Sequence, residues 1–181
     1  NLRKDTAALR MGKSEGVTTS ILENIVRKKP DCISFVGDMV RSGNKREWKK
    51  FQSEQLQKTA GIPILPVVGN LESISDGKYS NFNQTFPDVG HDIGYNRVGS
   101  WYYYDVETDG TTWRFMVLDA NKSVLKSRWK EQLSWIDESV QGDYEGLFII
   151  LHSPWYNLAG ASPEMNPQNT PRELIEYVED S

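Results

Sequence analysis

The sequence predicts an α/β domain built on parallel strands. Three short, nearly continuous apolar runs carry that class: "CISFVG" (32–37), "IPILPVV" (62–68) and "GLFIILH" (146–152). Such runs are typical of strands covered on both faces. Amphipathic helical stretches lie between them, the spacing of βα units. The chain has 181 residues, 38% hydrophobic and 25% charged, enough for one soluble domain (1–181) with a sizeable core.

The elements follow in order. "SEGVTTSILENIVRKK" places Val17, Ile21, Leu22, Ile25 and Val26 on one helical face, and Pro30 stops it. "KREWKKFQSEQLQKTA" (45–60) reads as a surface helix closed by Gly61. Residues 73–97 show no clear periodicity and are rich in Ser, Asn, Asp and Gly, so a long functional or disordered loop is expected. "VGSWYYYDVE" and "TTWRFMVLDA" flank Thr108, Asp109 and Gly110, a hairpin signal. "SRWKEQLSWIDESVQ" puts Trp129, Leu133, Ile136 and Val140 on a helical stripe, and a loop at 153–170 precedes a short helix at "PRELIEYVE".

Composition excludes several classes. The net charge is −4, without the basic excess that a duplex-binding surface requires. "RSGNKREWKK" (41–50), the densest cationic cluster, reads as a solvated helix face. No apolar run is long enough to span a membrane. Cys32 is the only cysteine, so an internal disulfide and a cysteine-based metal site are both excluded; it reads as a small core residue. The start, "NLRKDTAALRMGK", reads as an internal cut. The compartment is open, with a lean to secreted or periplasmic, and so is the oligomeric state.

Each apolar strand ends in a residue able to bind metal. "CISFVG" leads to Asp38, "IPILPVVG" to Asn70, "WRFMVL" to Asp119 and "LFIIL" to His152. In open α/β sheets the carboxyl edge is where ligands bind. A carboxylate can bridge two cations, an Asn oxygen is a neutral hard ligand, and imidazole suits zinc, iron or manganese. Taken singly, each has a plainer role: Asp38 as a turn cap, Asn70 as a turn residue, His152 as a satisfied core imidazole. Asp119 reads as the organiser of its loop rather than a ligand.

Together, "FVGDMV", "PVVGNLES", "VLDAN" and "FIILHSPWYN" resemble the separated blocks of the calcineurin-like metallophosphoesterases, including the purple acid phosphatases. The resemblance covers nearly the whole chain. It implies a β-sandwich flanked by helices (α-β-β-α), with Asp38 as a bridging carboxylate and Asn70 and His152 as ligands of the second metal. It further implies two metal ions (manganese, iron or zinc) that activate a water to hydrolyse a phosphate mono- or diester. The partner implied is thus a phosphorylated small molecule or other phosphoester.

Three departures from the family stand out, and Arg41 adds a fourth. Its first block, Asp-x-His, and its last, Gly-His-x-His, are missing, as expected of a chain truncated at both ends. The His that follows Gly-Asn, which orients the phosphate and helps protonate the leaving group, is Leu71 here. Glu72, its usual support, is then expected to be idle. Arg41 stands in place of the iron-binding Tyr, so no purple chromophore is expected. His91, in the loop "FPDVGHDIGYN", is a speculative replacement acid, a solvent-exposed loop His being the plainer reading. An alternative is a catalytically disabled relative that keeps the fold for binding. A further one, a module that binds through Trp101, Tyr102, Tyr103, Tyr104, Trp155 and Tyr156, is met more economically by core packing.

Overall fold

A computed structural model describes residues 16–59, 61–87, 100–154 and 171–180. Among the described residues the chain is mixed α/β with two small sheets. Strand β1 (Ile33–Val36) pairs in parallel with β2 (Ile64–Val67), Ile33 opposite Ile64. In the second sheet β3 (Tyr102–Thr108) runs antiparallel to β4 (Thr111–Val117), which pairs in parallel with β5 (Gly146–Ile150). The expected hairpin turns at Asp109 and Gly110, with φ of 51° and 76°. Two successive positive φ values match the right-handed twist of the flanking strands.

Residues 16–27 form the first helix, α1. Helix α2 (Lys45–Glu54) is capped by Asn44, whose side chain accepts from the Glu47 amide. Then come α3 (Ser80–Thr85), α4 (Lys122–Leu125), α5 (Arg128–Ser139) and α6 (Arg172–Asp180). Three apolar clusters hold these pieces together. One joins the sheets through Leu65, Val67, Tyr102 and Val117, and there the Tyr102 hydroxyl donates to the Pro66 carbonyl at 2.9 Å. A second packs Trp48 and Phe51 of α2 and Phe82 of α3 with Val40 and Val68. The third packs Trp129, Leu133 and Ile136 of α5 and Leu174 of α6 against Met116 of β4. Cys32 borders the first cluster, where burial pushes its thiol pKa up.

Four expectations need correction. The strands β1 and β5 are not covered on both faces: Val36 is 46% and Phe148 48% exposed. Each is also an edge strand, hydrogen-bonded among the described residues to a strand on one side only. On α1 only Leu22 is buried, while Val17, Ile21 and Ile25 face outward. Helix α2 buries Trp48 and Phe51 and is a core helix on one side. Residues 73–97 are not wholly irregular, since α3 lies within them. Tyr79, Phe82 and Phe86, three and four residues apart, supply its buried face, a periodicity that the surrounding polar residues mask. Residues 88–97 lie outside the described residues.

One polar anchor ties the hairpin to α5. The Arg114 guanidinium donates to both Asp105 carboxylate oxygens (2.8 and 2.7 Å) and to the Ser139 and Gln141 carbonyls (2.6 and 2.9 Å). Its carbon lies 3.9 Å from the centre of the Tyr103 ring. Breaking a pair of this kind leaves an uncompensated charge and orphaned carbonyls. Arg114→Met is therefore expected to lose about 3 kcal/mol of stability in urea unfolding; a loss within error of zero would show that the anchor is dispensable.

Candidate functional site

The loops after β1, β2 and β5 converge. Gly37 and Asp38 both take positive φ, 72° and 51°, which swings the chain sharply off the end of β1. Asp tolerates this left-handed region better than most residues, and such backbone concentrates at functional sites. His152 follows β5 and lies against this turn. A Cβ at Gly37 would overlap the His152 ring. Likewise, a Cβ at Gly69 would stand 2.6 Å from the Asp38 amide nitrogen. The glycines of "VGD" and "VGN" are thus needed for close approach as well as for turning.

The imidazole is held at one nitrogen. Nδ1 of His152 lies 2.9 Å from the Val36 carbonyl, which can only accept, so Nδ1 carries the proton. In the neutral ring Nε2 is then a lone pair, and it faces Asp38 Oδ2 at 3.4 Å. A metal ion in contact with both atoms would relieve this facing pair of acceptors. Two ligands about 2.1 Å from one ion stand roughly 3.0–3.4 Å apart at octahedral to tetrahedral angles. The Nδ1–H···carbonyl bond is also the usual outer support of a metal-binding His. The pair therefore fits a metal ion.

Asn70 sits at the start of a 3₁₀ turn, Leu71–Ser73, at the end of β2. Among the described residues its side chain makes no hydrogen bond, so its oxygen is available as a ligand. Leu71 is half-buried there, and its amide donates to Asp38 Oδ1 at 3.2 Å. Arg41 is exposed. Among the described residues, no three His, Cys, Asp or Glu side chains cluster as a metal site. The candidate constellation is thus Asp38 and His152 with Asn70 nearby. His91 lies outside the described residues, as do Trp155 and Tyr156.

Glu72 is not idle. It is 1% exposed, and its Oε2 accepts from the amides of Gly69 (2.6 Å) and Asp38 (3.0 Å). Its Oε1 accepts from the Val40 amide at 3.3 Å. One carboxylate thus fastens the turn after β1 to the turn after β2. Burial pushes its pKa up, against the pull of these three amides. No sequence signal points to this role, because all three partners are backbone amides.

Asp119 organises its loop, as expected. Fully buried, its carboxylate accepts from the Ser100 hydroxyl (2.6 Å), the Tyr79 hydroxyl (3.2 Å) and the amide and side chain of Asn121 (2.8 and 2.9 Å). Asn121 reaches on to the Gly69 carbonyl at 3.3 Å, linking this loop to the Asn70 turn. Gln132 clamps the Asp119 backbone at both its N–H and its C=O (2.9 and 3.0 Å). Sequence reading missed Gln132, although a polar residue one position before Leu133 on an inward helical stripe marks a buried partner.

No protein-family model matches the chain, and no curated protein sequence matches it.

Two outcomes follow from this geometry. Glu72→Gln keeps one acceptor oxygen but turns an NH₂ toward a backbone N–H, and urea unfolding should show a loss of about 1–3 kcal/mol. Desolvation raises the Asp119 pKa above its ordinary value. Its stabilising contribution is then complete below the unfolded pKa of about 3.9 and is lost as pH rises through the folded value. Asp119→Asn should therefore gain stability relative to wild type as pH rises from about 4. A difference that stays constant with pH would refute the shift.

Proposed function

We propose that the chain is the greater part of a metallophosphoesterase-type catalytic domain, an α-β-β-α sandwich that hydrolyses phosphoesters with the help of bound metal. The observation that carries this reading is the His152–Asp38 pair, with Nδ1 tied to Val36 and Nε2 left facing a carboxylate oxygen. The clusters between the sheets and outside each of them are consistent with such a sandwich. Asp38 and His152, with Asn70, would hold manganese, zinc or iron. The bound metal would supply a water made acidic enough to attack phosphorus at neutral pH.

The chain's own residues do the rest. Glu72 fixes the angle at which Asp38 and Asn70 meet the site, and Val36 keeps the imidazole in one tautomer. Leu71 brings no acid to the position where the family carries one, so protonation of the leaving group falls to solvent or another residue. A disabled relative is the second reading, and Leu71 is the observation that favours it.

The full-length protein should contain divalent metal by elemental analysis and hydrolyse p-nitrophenyl phosphate or its bis ester. Supporting residues around metal sites are worth roughly 10–100-fold, so loss of the ligand in Asp38→Ala should cost more than that. Protein that takes up no metal would end the reading. Leu71→His should raise kcat by roughly 10²–10⁴-fold if only the acid is missing. High activity in wild type would instead exclude the disabled alternative.

A further inference from the structure

A groove of about 400 Å³ opens one residue beyond Asp38, between residues 39–41 and α2. That volume lies within the range of small-molecule sites. Met39, Val40 and Phe51 supply its apolar lining, and Arg41, Arg46 and Lys50 its cations. Two carboxylates also border it, and both are engaged. Glu47 Oε2 accepts from the amides of Arg41 (3.0 Å) and Ser42 (2.8 Å) and from the Ser42 hydroxyl (3.1 Å). Glu54 faces Lys50 at 3.8 Å. Among the described residues the guanidiniums of Arg41 and Arg46 make no hydrogen bond or ion pair. Two exposed guanidiniums without a carboxylate of their own, beside an apolar lining, are arranged to receive an anionic group carried on an organic body. The Val40 amide is held by the carboxylate that holds the Asp38 amide, so groove and pair keep a fixed relation.

We infer that this groove takes a second anionic group of the substrate, so that the preferred phosphoesters carry a further phosphate or carboxylate on their esterified portion. The inference rests on the phosphoesterase reading and names the substrate class of that site. Phosphate and carboxylate both fit a guanidinium fork, and the probes separate them.

Equilibrium binding of phosphonates, whose P–C bond resists hydrolysis, to the metal-loaded full-length protein tests the groove apart from turnover. The probes are phenylphosphonate, 4-carboxyphenylphosphonate and 1,4-phenylenediphosphonate, measured by calorimetry in wild type and in the Arg41→Gln/Arg46→Gln variant. Both side chains are exposed and make no hydrogen bond or ion pair among the described residues, so the variant should keep the wild-type circular dichroism and unfolding midpoint. At least one doubly anionic probe should bind wild type about tenfold more tightly than phenylphosphonate, as one charge-assisted bond allows. The variant should lose that preference while binding phenylphosphonate as wild type does. The probe that gains identifies the group. Equal affinity for all three probes in wild type, or a preference that survives in the variant, overturns the inference. Failure of the metal-loaded protein to hydrolyse phenyl phosphate or 4-carboxyphenyl phosphate contradicts the phosphoesterase reading instead, and the binding result still decides the groove.

Discussion

The site depends on one buried carboxylate. Glu72 lies between two turns whose backbone N–H groups point inward, and it accepts from Asp38, Val40 and Gly69. Buried amides without partners would be costly, as would a buried charge without donors. Each requirement answers the other, and together they fix where the ends of β1 and β2 meet. Asp38 can then adopt its left-handed backbone, and the two glycines can approach as closely as they do. Loss of that carboxylate would free both turns, and with them the position of every candidate ligand before β5.

A second network supports the first from the other side. Asp119, Tyr79, Ser100, Asn121 and Gln132 form a buried polar cluster, and Asn121 extends it to the Gly69 carbonyl. The Asn70 turn is thus held from within by Glu72 and from the neighbouring sheet by Asn121. Satisfied networks of this kind make a turn rigid, whereas partly satisfied ones cost stability. Rigidity matters to the proposed metal site because an angular error at Asp38 or Asn70 would separate groups that would have to reach the same ion.

The fold was legible where local physics decides the outcome. The hairpin at Asp109-Gly110, the Pro30 stop and the parallel pairing of 33–36 with 64–67 all follow from turn chemistry and apolar runs. The candidate site was legible as residue types at strand ends, and the structure brings Asp38 and His152 together. Partnerships set by tertiary contact were not legible. Glu72 looked expendable because its role lies in three backbone amides, which no side-chain pattern reports. Helix α3 was hidden because its three aromatics sit among polar residues. The exposed face of α1 and the exposed Val36 of β1 and Phe148 of β5 depend on which neighbours a strand or helix finds, and periodicity alone does not say that.

The claim at the centre of this structure is that His152 offers Nε2 to a cation while Val36 holds its Nδ1 proton. Imidazole ¹⁵N spectra of the full-length protein, recorded at neutral pH as zinc is added, test it most directly. A metal-binding His152 predicts a large shift of Nε2 with Nδ1 still protonated, and loss of the change in Asp38→Ala. A His152 ring that does not respond to zinc, or one that responds at Nδ1, would contradict it.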